Sequence, residues 1–203
     1  MRTRALAATA LAGALLLGGC GTGDRSEPAS SRDSTPSAGS SAGPSSGAED
    51  MSMDMGSADE PSQPASMICS EEIQDAVRRT FGMRGLPATR SSWAKADRVF
   101  SCRHAVPGGT LRLSVQDALA EKQGSAYFAA LRRRTTGAEA IGGMENFGFP
   151  AFDTASGKVA FLKDGKTLLV DASRLPTSAL PKDYDRREAA YSIAAAVIAC
   201  WSE

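Results

Sequence analysis

Few residues in this chain can do bond-making chemistry, and their spacing narrows the set further. His104 is the one histidine, so a general base or a catalytic triad would have to use it. It alternates with Phe100, Cys102 and Val106, the pattern of one side of a strand, which favours a structural role. Gly39-Ser40-Ser41-Ala42-Gly43 has the G-x-S-x-G form, yet that motif needs a strand–turn–helix to expose its serine, and here it sits in low-complexity sequence. Ser92-Trp93-Ala94-Lys95 has S-x-x-K spacing, but no S-D-N accompanies it, and Lys166-Thr167 is followed by Leu168, not Gly. Asp183 and Asp185 read as loop or helix-start carboxylates. A hydrolase is therefore the least favoured reading, and the chain is read as non-enzymatic.

Soft ligands form a second group. Met51, Met53 and Met55 fall in "EDMSMDMGS", three of the seven methionines of the chain. Thioethers suit Cu(I), and alternate spacing could bring three to one ion, with Asp50 and Asp54 raising the local cation concentration. Copper binding at this trio is the alternative functional reading. No other cofactor is expected. The cysteines offer no C-x-x-C, and one histidine cannot complete a closed zinc site.

The opening residues set the compartment. MRTR supplies two cations, an apolar run follows from Ala5 to Leu17, and Gly18-Gly19-Cys20 comes next. The run is about 13 residues, against the roughly 20 needed to span a bilayer, which is the layout of a signal peptide over residues 1–19. Leu17-Gly18-Gly19-Cys20 resembles a lipobox, the processing site of bacterial lipoproteins. The resemblance implies a lipid on the Cys20 thiol and a protein held on the outer face of the cytoplasmic membrane, with the bilayer as its first partner. Because one acyl chain binds only reversibly, stable anchoring implies two or more, palmitate among them.

Residues 20–66 hold Ser, Gly, Ala, Pro, Asp and Glu and are read as a lipidated cysteine followed by a disordered tether. Hydrophobic residues return at Met67, so residues 67–203 form one domain of about 137 residues. Balanced totals of 23 basic and 23 acidic residues argue against nucleic acid as a partner. Export places Cys69, Cys102 and Cys200 in an oxidising setting, where three thiols allow one disulfide. Cys69–Cys102 is favoured and Cys69–Cys200 is the alternative.

Those cysteines must be held by regular elements. Ser70 precedes Glu71, Glu72 and the helical spacing Ile73, Val77, Phe81, with Gly82 as the stop. Period-two alternation follows over Arg98–Val106 and Leu111–Gln116, and a weaker strand is expected at Arg90–Ala94. Asp117 is expected to cap a second helix ending near Arg134. Strands return at Phe147–Phe152, Lys158–Lys163 and Thr167–Ala172, the last two joined by an Asp164-Gly165 turn. A final helix runs from about Tyr184 to Trp201. Helix, strands, helix, strands, helix predicts an α+β domain: an antiparallel sheet of about five or six strands with three helices.

"ICSEEI", "FSCRH" and the terminal "ACWSE" together resemble small uncharacterised cell-envelope lipoprotein domains of actinobacteria. The resemblance implies an envelope location and brings no catalytic residues. The expected function is a tethered binding or interaction module for an unidentified envelope protein or ligand. Its proposed contact loop is built from Asn146 and Phe147, with Trp93 nearby, because glycines at 142, 143 and 148 free the backbone to present an aromatic.

Overall fold

Alternation of apolar and polar residues builds the centre of this domain. A computed structural model describes residues 59–182 and 184–202. Cys20, Met51, Met53, Met55, the Gly39–Gly43 motif and Asp183 lie outside the described residues.

The described elements run α1 (Gln63–Ser66), α2 (Glu71–Thr80), β1 (Thr89–Ala94), β2 (Val99–Val106), β3 (Gly109–Asp117), α3 (Glu121–Arg134), β4 (Glu139–Ala140), β5 (Ala151–Thr154), β6 (Lys158–Lys163), β7 (Lys166–Asp171) and α4 (Arg186–Cys200). The strands form one antiparallel sheet in the order β1-β2-β3-β7-β6-β5-β4. The α+β expectation holds, with seven strands among the described residues where five or six were expected. The addition is β4, two residues long and too short for any periodicity to announce. The fourth helix, α1, is a single turn in sequence assigned to the tether.

Two meanders, β1–β2–β3 and β5–β6–β7, meet at their last strands. Phe100, Cys102, Leu111, Leu113, Val115, Val159, Phe161, Leu168 and Val170 point to one face and pack under α2 and α4. Helix α3 lies on the other face, where Phe128 and Leu131 cover Phe152 and Ala160. Helices α2 and α3 therefore sit on opposite sides of the sheet.

Local chemistry explains the element ends. Gly82 takes φ +61°, its N–H reaches the Arg79 carbonyl, and the Met83 N–H reaches Arg78, closing α2 in a Schellman motif. Asp164 and Gly165 both have positive φ, the form a two-residue hairpin needs. Asp185 and Glu188 form a reciprocal capping box at the start of α4. The Lys163 ammonium donates to the Trp201 carbonyl at 2.9 Å, at the other end of α4. Small side chains at Ala189, Ala190 and Ala194, all buried, let α4 lie close to the sheet.

Three expectations need correcting. The packed chain starts upstream of Met67: Ser62 caps α1, Ala65 is fully buried, and the Pro64 carbonyl accepts from the Trp201 indole at 3.0 Å. Asp117 does not cap α3; it ends β3, is buried, and the helix starts at Glu121. The strand expected at Phe147–Phe152 begins only at Ala151, after a 3-10 turn over Gly143–Asn146.

Candidate functional site

The disulfide joins Cys69 to Cys102 with Cα atoms 5.6 Å apart. It ties the 3-10 turn Met67–Cys69 to the core side of β2. By loop entropy a bridge across this separation is worth about 3–4 kcal/mol. Cys200 is outside the bridge and half-buried against the core, so the Cys69–Cys200 alternative falls.

His104 lies two residues beyond Cys102 on the same side of β2 and is fully buried. Its Nε2 donates to the Ile68 carbonyl at 2.9 Å, and Nδ1 is buried with no hydrogen-bond partner. Burial lowers its pKa, and the bond to Ile68 acts in the opposite sense. A neutral imidazole sealed under the helical layer cannot reach a substrate. Ser92 is exposed on β1, while Lys95 forms an ion pair with Asp59, so the S-x-x-K spacing does not make a nucleophile–base pair. Among the described residues no three His, Cys, Asp or Glu side chains gather as a metal site.

The expected contact loop divides. Trp93 stands on β1, one edge of the sheet, with its indole N–H on the Asp59 carbonyl at 3.0 Å and the Arg98 guanidinium 5.4 Å from its ring centroid. Phe147 precedes β5, which lies toward the other edge. The two aromatics therefore do not share a groove. Phe147 takes φ +53°, stacks on Tyr191 at 6.3 Å and touches Phe161 at 5.9 Å, yet stays 46% exposed. Asn146 is spent on the turn itself: its side-chain oxygen accepts from the Gly148 N–H at 2.8 Å. Phe149 is half-buried against the core, and Met144 is 93% exposed.

A different surface emerges from the strand register. On the face opposite α2 and α4, Arg90 pairs with Arg103, and Arg103 with Arg112. In the next row Ser92 pairs with Ser101 and Ser101 with Ser114. All three arginines are exposed, and none makes a salt bridge among the described residues. Arg112 donates to the Ser101 hydroxyl at 3.3 Å, linking the rows. The serine row continues across the sheet as Leu169, Ala160 and Phe152, turning apolar where α3 covers it. The arginine row continues as Asp171 and Lys158, so the single-sign stretch is confined to β1–β3.

Like charges directly opposite on neighbouring strands destabilise a sheet. Sequence reading missed this surface because the arginines are 9 to 13 residues apart, and only the hairpin registers place them in line. The signal present was Arg90 and Ser92, Ser101 and Arg103, Arg112 and Ser114: basic and hydroxyl residues on the polar side of three consecutive strands.

An open cleft of about 270 Å³ lies between α2 and α4, lined by Arg79, Thr80, Tyr184 and Ser192 among others, on the helical layer away from this face. The chain matches no protein-family model, no curated protein and no solved structure.

Proposed function

We propose that this protein is a lipid-anchored, extracytoplasmic binding module whose contact surface is the uncovered face of β1–β3. The observation that carries the reading is the aligned trio Arg90, Arg103 and Arg112, a like-charge arrangement that a purely structural sheet would avoid. The Leu17–Cys20 resemblance to a lipobox supports the anchor on Cys20. The Cys69–Cys102 disulfide supports an oxidising compartment. The buried, neutral state of His104 supports binding over catalysis. Among the described residues no helix is long and apolar enough to cross a membrane.

Two measurements test the proposal. Palmitate should label the wild-type protein and not Cys20→Ala; label retained by the variant refutes the anchor. A photocrosslinking residue at exposed Ala105 should capture an envelope component in intact cells, while the same residue at Arg133 on α3 should not. Equal capture at both positions removes the sheet face as the contact surface. The copper reading of Met51, Met53 and Met55 draws no observation from the described residues.

A further inference from the structure

We infer that the open face of β1–β3 binds a linear chain carrying phosphate groups, laid across the strands along Arg90, Arg103 and Arg112. This rests on the binding-module reading and names the ligand class for the same surface.

Spacing carries the first part. Neighbouring strands lie about 4.8 Å apart, so the three Cα atoms span about 10 Å across the sheet. A row of that length on an open pleated surface suits an extended ligand; small molecules are held in concave sites. Donor chemistry carries the second part. The arginines are exposed and make no salt bridge among the described residues, so their guanidinium forks can take an anion. Ser92, Ser101 and Ser114 form a parallel row one step along the strands; Ser92 is exposed and Ser114 half-buried, while Ser101 is buried and takes the Arg112 fork. A tetrahedral phosphate presents oxygens on more than one side, so one group can meet an arginine fork and a serine hydroxyl together. A carboxylate has two oxygens to share between a fork and a hydroxyl, where a chain phosphate adds charge at every repeat along the row.

Other occupants fit less well. The outward positions of β1–β3 hold Arg, Ser, Ala, Thr, Gln and one half-buried Val, Val99, with no aromatic ring to stack a nucleobase. They offer no large apolar side chain to enter a lipid headgroup layer. Asp171, opposite Arg112, ends the basic row and sets the footprint at three strands.

The test uses the mature domain with its tether and inorganic polyphosphate as the probe. Wild-type binding should fall steeply with salt. The R90Q/R103Q/R112Q variant should bind about tenfold or more weakly, with the salt slope reduced by about one for each arginine removed. Its thermal melt should match or exceed wild type, since like-charge repulsion is relieved. The R132Q/R133Q/R134Q variant on α3 makes the same change in net charge and should retain binding within about twofold. Equal loss in the two variants, or no loss in the first, overturns the proposal. So does equal affinity for poly-L-glutamate of matched charge, or tighter binding to anionic phospholipid vesicles than to polyphosphate. Capture at Ala105 without polyphosphate binding would reject the ligand class and keep the binding face; absence of both rejects the face as well.

Discussion

Ser62 donates both its backbone N–H and its hydroxyl to the carboxylate of Asp117, at 2.8 and 2.9 Å, across 55 residues of chain. Arg98 and Lys166 approach the same carboxylate at 3.4 and 3.7 Å. The Asp117 side chain is 3% exposed, so these partners replace the water it has lost. This contact fixes where the packed domain takes hold of the chain that leads into it. The indole of Trp201 on Pro64 and that of Trp93 on Asp59 hold the same segment from two other elements.

Asp117→Ala should therefore cost about 3 kcal/mol, since it removes the buried anion that the half-buried Arg98 guanidinium and Lys166 ammonium share and that the Ser62 N–H and hydroxyl donate to. Ser62→Ala keeps the backbone bond and should cost about 1 kcal/mol. Urea unfolding measures both. Limited proteolysis with a glutamyl endopeptidase reads the local effect: cleavage after exposed Glu60 should speed up in Asp117→Ala well before global unfolding. Matching cleavage rates in wild type and variant would show that Asp117 does not hold the segment.

Gly124 offers a prediction opposite in sign to helix propensity. It lies in the first turns of α3, where alanine normally stabilises by about 0.5–1 kcal/mol over glycine. A Cβ at this position would stand 1.9 Å from the Gly165 carbonyl oxygen and 2.5 Å from its carbon. Gly165 cannot move away freely, because it holds φ +72° in the β6–β7 turn. Gly124→Ala should destabilise by about 2 kcal/mol, the ordinary cost of overpacking. A raised melting temperature for this variant would mean that α3 does not rest on the hairpin.

What the sequence made legible was local. Period-two alternation marked β2, β3, β6 and β7, and Asp164-Gly165 marked their tightest turn. The 3.6-residue spacing of Ile73, Val77 and Phe81 marked α2 and the side it buries. The Cys69–Cys102 bridge was foreseeable because one thiol opens a helix and the other sits on a core-facing strand position. What failed was long-range. The pairing of β3 with β7 joins residues about 54 apart, and no local pattern encodes it. That pairing separates Trp93 from Phe147 and sets Asp171 at the end of the arginine row. Asp117 was misassigned for a related reason: a carboxylate before a helix reads as a cap, and only the fold reveals that Ser62, Arg98 and Lys166 claim it. The segment from Asp59 to Ser66 was hidden by its composition, since its anchoring uses backbone carbonyls and one serine in place of large apolar groups.

His104 should make stability depend on pH in a defined direction. Burial lowers its native pKa, while the unfolded chain binds the proton near the ordinary imidazole value of about 6.5. Between those two values the unfolded state holds more protons, so stability rises with pH there. The native advantage is complete above about pH 6.5 and is lost as pH falls below it, by at most about 1.4 kcal/mol per unit. The His104→Gln variant cannot take up that proton. The stability difference between wild type and this variant, measured by urea unfolding, should be flat from about pH 7 to 8 and shrink between about pH 6.5 and 5.5. That window lies above most carboxylate titration, so the change belongs to the imidazole. The same acidification acts beside the disulfide, because Ile68, whose carbonyl accepts the hydrogen bond from Nε2–H, precedes Cys69, and His104 lies two residues from Cys102. The bridge holds the strand and the turn together whether or not the imidazole charges, so protonation should lower the free energy of unfolding without releasing the 3-10 turn. A pH-independent difference between the two proteins would mean that His104 reaches solvent, and with it would fall the strongest structural argument against chemistry at this residue.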